Sequence, residues 1–220
     1  MSTPQIVRKV DNNMINDSPN FLYSIKVAEV TWKKLVDDIN TPEIIAVDNG
    51  ERILDEPLLR IIIEFFGGNV LDFSENIEEV DEEIARDAAK RNMEKHISDS
   101  FSQHEIKGDS YFVKTSDNHS FEIGYLKYKL MNVIHEFGHA CLDIQKAQPK
   151  ELIWDDGSQW SSETMVNAFA RAFVMPRERF LNKVSQYTTR GQCDISKVAN
   201  SFGVEYMHAY VRGKDLHLWE

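Results

Sequence analysis

His135 and His139, four positions apart with Glu136 directly after the first, form an HExxH motif, and this feature restricts what the chain can fold into more than any other. On a helix the two imidazoles fall on one face, so their nitrogens can converge on a single metal ion. Glu136 then stands beside a water polarised by that metal, where its carboxylate can act as general base. The motif predicts a metal-dependent hydrolase of the zinc-peptidase kind. It also demands a helix with one face for the metal and another for a core.

The neighbouring residues provide such a helix. Leu126, Leu130, Val133, Phe137, Ala140 and Ile144 recur at helical spacing, which predicts a helix from about Leu126 to Gln145. Phe137 lies well round the axis from His135 and His139, so the apolar stripe and the metal face are separate. Cys141 falls on a different face from His139 and is read as a packing residue.

A catalytic zinc usually takes three protein ligands and leaves one position open. The candidate for the third is Glu163, in a predicted helix running from Ser161 to about Val174, with Ser161 or Ser162 as N-cap. On this helix Glu163, Asn167 and Ala170 share one face, while Val166, Phe169 and Phe173 share an apolar one. A carboxylate can thus reach a metal from a helix anchored by packing. Asn167, one turn later, is placed to orient a ligand histidine. The competing reading of Glu163 is an ordinary first-turn carboxylate favoured by the helix dipole.

These two segments resemble the ImmA/IrrE family, whose members pair a HExxH helix with a downstream E-x-x-A-N-x-F-A...M-P segment. Here the first is HEFGH, and the second runs from Glu163 through Asn167, Phe169 and Ala170 to Met175-Pro176. Val166 stands where the family commonly has alanine, and Leu130 to Ile134 lack its frequent basic and aromatic residues. The resemblance covers roughly residues 110 to 215. It implies an α+β fold: a small thermolysin-like zinc-peptidase core, with a short antiparallel sheet packed on helices and a helical C-terminal extension. It implies that His135, His139 and Glu163 bind Zn2+ and that Glu136 is the catalytic base. It further implies a gene-regulatory role on a protein substrate, such as a helix-turn-helix repressor or an antitoxin, in the setting of phage or other mobile elements.

Composition bounds the remaining possibilities. At 220 residues with 42% hydrophobic content, the chain suits one well-buried core. A formal net charge of -11 argues against a general nucleic-acid binder, which needs a lysine and arginine surplus. With two cysteines, Cys141 and Cys193, no disulfide framework is expected and a reducing cytoplasm is the natural setting. The opening MSTPQIVRKVDNN has no apolar core of a secretory signal, and the apolar run from Pro57 to Val70 carries Arg60 and Glu64, so neither is expected to enter a membrane.

Along the chain, residues 1–20 read as a loose polar leader, residues 21–176 as the zinc-peptidase-like domain, and residues 177–220 as a helix-turn-helix-like extension packed on it. Within the domain, helices are expected over Phe21 to Ile39, Glu56 to Phe66 and Asn76 to His96, and strands over Ile44 to Val47, Asn69 to Phe73, Tyr111 to Lys114 and Phe121 to Ile123. Turns are expected at Ser116 to Asn118 and in the polar stretch holding Pro149 and Gly157. The charges of Asp194 to Asp215 nearly cancel, which favours a docking or packing role over DNA reading. His96, His104, His119, His208 and His217 have no metal-ligand spacing and read as surface or hydrogen-bonded residues. One of them, or Tyr206 or Tyr210, could donate to an oxyanion. An alternative to proteolysis is a zinc-stabilised binding module that controls a repressor without cutting it. The sequence does not specify an oligomeric state.

Overall fold

A computed structural model describes residues 5–6, 19–73, 82–99, 110–114, 120–146 and 162–219. In chain order the elements are β1 (Gln5–Ile6), α1 (Pro19–Ile39), α2 (Pro42–Asp48), α3 (Glu56–Phe65), β2 (Gly68–Asp72), α4 (Glu82–Asp99), β3 (Ser110–Lys114) and β4 (Phe121–Tyr125). They continue with α5 (Leu130–Lys146), α6 (Ser162–Val174), α7 (Arg177–Gln186), β5 (Thr188–Thr189), β6 (Gln192–Cys193), α8 (Ile195–Phe202) and α9 (Tyr206–Asp215). The fold is α+β, mostly helical with short strands. Two compact units divide it, one formed by Met1–Leu54 with Leu152–Glu220 and the other by Asp55–Glu151. Most of the expected leader, the turn at Ser116 to Asn118, the stretch around Pro149 and Gly157, Ser161, His104 and His119 lie outside the described residues.

In the unit Asp55–Glu151, Asp55 caps α3 by accepting from the Leu58 amide at 3.1 Å, and Pro57 sits in the first turn where a missing N–H costs nothing. The helix buries Leu58, Leu59, Ile62 and Ile63, then turns through Gly67 into β2. Gly68 opens that strand under Ile63 and Phe121, each 2.5 Å from where a Cβ would stand, so only glycine fits. The sheet has the order β2-β4-β3. It is mixed rather than the antiparallel sheet expected: β2 runs parallel to β4, with Val70 opposite Ile123, while β3 runs antiparallel to β4, with Ser110 opposite Tyr125. Parallel neighbours need a long crossover, and α4 and β3 lie in the chain between them. Arg60 ties α3 to the sheet, donating to the Val70 carbonyl at 3.1 Å and to Glu56 at 3.0 Å, and Tyr125 donates to the same Glu56 carboxylate. Burial and that hydrogen bond raise the Tyr125 pKa.

In the unit Met1–Leu54 with Leu152–Glu220, α6 lies along α1. Trp32 meets Phe173 edge-on at 5.2 Å, Phe173 stacks on Phe169 at 5.7 Å, and Val27, Ala28 and Leu35 are buried. The Trp32 indole N–H donates to Asp48 Oδ1 at 2.6 Å. The apolar run Ile44 to Val47, expected as a strand, is part of α2. Thr41 has extended backbone and accepts from the Ile44 amide at 3.4 Å, Pro42 opens the first turn, and Ile44 and Val47 bury one helical face.

Charged groups tie α6 to α9. Arg171 Nε donates to Asp215 Oδ2 at 2.6 Å and its Nη2 to Oδ1 at 3.2 Å. Arg212 is fully buried, and its Nε donates to the Met175 carbonyl at 3.0 Å, while Nη1 and Nη2 have no hydrogen-bond partner among the described residues. Burial pushes the Arg212 pKa down to about 10, so it still carries its charge at neutral pH.

After α7 the chain forms a hairpin, β5 against β6, with Arg190 and Gly191 both at positive φ as a tight type I′ connection requires. β1 pairs with the free edge of β6, Gln5 opposite Cys193. Asp194 caps α8, Gly203 closes it in the left-handed region, and α9 follows as the second helix of a compact pair.

Candidate metal centre

α5 begins at Leu130, four residues later than its apolar stripe suggested; Leu126 is buried in the segment before it. Phe137 lies fully buried between Phe66, at 5.6 Å between ring centroids, and Phe121, at 6.0 Å. Val133, Ile134, Ala140, Cys141 and Leu142 are buried as well. Against this background His135 and His139 are half-buried, with ring centroids 5.0 Å apart. One turn of helix therefore offers both imidazoles together, as the spacing predicts.

Glu136 is 8% exposed, and Ser110 Oγ donates to its Oε1 at 3.2 Å. Sequence spacing gives no hint of that pairing. Ser110 and Glu136 are 26 positions apart, and only the pairing of β3 with β4 and the seating of α5 on them bring the two together.

Glu163 lies in the first turn of α6 and is half-buried, and Met165, Val166, Ala168, Phe169 and Ala170 immediately bury the helix behind it. His135, His139 and Glu163 each offer a ligand atom, and these atoms lie within 4.8 Å of one another. Two imidazoles and a carboxylate are the donor set of a borderline divalent ion, and the half-buried setting leaves the group reachable. Asn167, one turn after Glu163, has an exposed side chain.

His96 Nε2 lies 2.6 Å from Glu122 Oε1, on α4 and β4. His208 is half-buried on α9, where burial lowers its pKa, Glu205 opposes that shift and Arg171 adds to it. Tyr206 and Tyr210 stack on each other at 6.1 Å on the same helix.

His135 and His139 on α5 and Glu163 on α6 make up a group that could hold a metal ion. Residues 127–213 match the family model Peptidase_M78, the IrrE N-terminal-like domain, which is the family that the two motifs resemble. The match contains His135, Glu136, His139, Glu163 and Asn167. Neither a curated protein nor a solved structure gives a match to the chain. None of the described helices is long and apolar enough to cross a membrane.

Proposed function

We propose that the protein is a zinc-dependent endopeptidase that cleaves a regulatory protein, such as a helix-turn-helix repressor or an antitoxin, in the cytoplasm. The observation that carries the reading is that ligand atoms of His135, His139 and Glu163 lie within 4.8 Å of one another, with Glu136 following His135 in the same helix. Those three residues would hold the zinc, and Asn167 would steady a ligand histidine from the next turn of α6. Zinc, when bound, supplies Lewis acidity toward a water and a peptide carbonyl.

The rest of the chemistry belongs to the chain. Glu136 accepts a proton from the attacking water at a carboxylate oxygen, a C–O bond forms at the peptide carbon, and the C–N bond breaks as Glu136 returns the proton to the leaving amine. Its low exposure shields the carboxylate from bulk water during both transfers. The regulatory substrate is supported by the family match and by the near-neutral helical pair α8 and α9, which suits protein docking better than DNA.

The deciding measurement is zinc content of the purified protein. Wild type should hold about one ion per chain, as a single three-ligand site would, and His139→Ala and Glu163→Ala should both lose it. Full zinc in both variants would sink the site. Glu136→Gln should keep its zinc and lose cleavage of a repressor substrate; a Glu136→Gln protein that still cuts would end the base assignment. A partner that co-purifies uncut with the wild type would favour the binding-module reading.

A further inference from the structure

We infer that Ser110 is a positioning residue for Glu136, its hydroxyl holding the carboxylate of the general base in one orientation. The inference rests on the peptidase reading above, but the residue lies outside both motifs and outside the matched region 127–213. Three observations support it. The hydroxyl donates to Glu136 Oε1 at 3.2 Å, across 26 positions of sequence. Both partners are buried, Ser110 at 4% and Glu136 at 8% exposure, so water cannot take over the bond cheaply. Both backbones are fixed: Ser110 opens β3 in register with Tyr125, and Glu136 precedes Phe137, which is wedged between Phe66 and Phe121.

A glutamate side chain has several rotatable bonds, and freezing it costs conformational entropy. A donor on a paired strand accounts for that ordering before any substrate arrives, which is how a base gains from a group that orients it. A serine that served only the fold would fill the same space, but its loss would not reach the metal through Glu136.

Cobalt(II) in place of zinc provides the test, because its visible bands respond to the groups around the ion without any substrate. Ser110→Ala should keep its cobalt, since no ligand is touched, yet show altered bands. Ser110→Thr, which keeps the hydroxyl, should restore them, and in a Glu136→Gln background Ser110→Ala should change nothing further. Unaltered bands in Ser110→Ala, or an equal change in the Glu136→Gln background, overturn the proposal. Ser110→Cys, similar in size and a weaker donor, replaces Ser110→Ala if that variant does not fold.

Metal-free protein supplies the second readout. Ser110→Ala should lower the melting temperature, and the same change in Glu136→Ala protein should lower it by less than half as much. Equal losses overturn the pairing. A wild type that binds no cobalt while the melting cycle still shows coupling fails the peptidase reading, and the positioning role with it, leaving a structural hydrogen bond.

Discussion

α5 and α6 both contribute to the donor group, but they are held in place by different physics. α5 is seated by aromatic packing, with Phe137 between Phe66 and Phe121. α6 adds charge to its aromatic contacts with α1: the Arg171–Asp215 pair and the Arg212 bond to the Met175 carbonyl fasten it to α9. The difference bears on the chemistry. However α5 is anchored, helical geometry keeps His135 and His139 together. Of the three candidate ligands Glu163 alone lies on α6, and its place depends on what holds that helix.

The largest effect is expected at Phe137. Phe137→Ala should cost about 3–5 kcal/mol in a urea unfolding experiment, the usual loss for a buried phenylalanine. A loss below about 1 kcal/mol, the scale of an ordinary substitution, would show that α5 is not seated by this ring. On the other helix, Asp215→Ala should cost about 3 kcal/mol, because it leaves the Arg171 guanidinium, 13% exposed, without its carboxylate near a second buried arginine. Replacing both partners, Arg171→Met with Asp215→Leu, should recover most of that loss. If it does not, the pair contributes more than mutual neutralisation.

Smaller effects sharpen the same contrast. Trp32→Phe keeps an aromatic edge against Phe173 but loses the bond to Asp48, an expected cost of about 1 kcal/mol by thermal unfolding. Least of all, α9 should respond to acid through His208. Burial lowers its folded pKa below the ordinary value of 6.5, so the unfolded chain binds the proton more readily. This contribution is intact above about pH 6.5, the unfolded value, and is lost as pH falls through and below it. His208→Gln should flatten that part of the stability–pH curve.

The elements legible in the sequence are those whose signal is local. The HExxH pair, the α6 face carrying Glu163, and the helices over α1 and α3 follow from spacing within one segment. α2 was masked by its own cap: Thr41-Pro42 reads equally as the stop of α1 and the start of a new helix, and a four-residue apolar run has no period of its own. The parallel pairing of β2 with β4 depends on a crossover that neither strand encodes. The β5–β6 hairpin carries no apolar alternation, since Thr188, Thr189 and Gln192 are polar, and Arg190-Gly191 is not one of the usual turn pairs. Ser110 is silent for the same reason as the parallel strands, because its partner is chosen by tertiary structure.

One short pairing has a kinetic consequence. β1 reaches β6 across nearly the whole chain, Gln5 to Cys193, for two residue pairs. Closing so long a loop for so few bonds is entropically unfavourable until the hairpin and its helices already exist. The N-terminal strand should therefore join last during folding and leave first when the protein opens, and hydrogen exchange at the backbone amides of β1 and the facing edge of β6 should be among the fastest in any ladder of this protein.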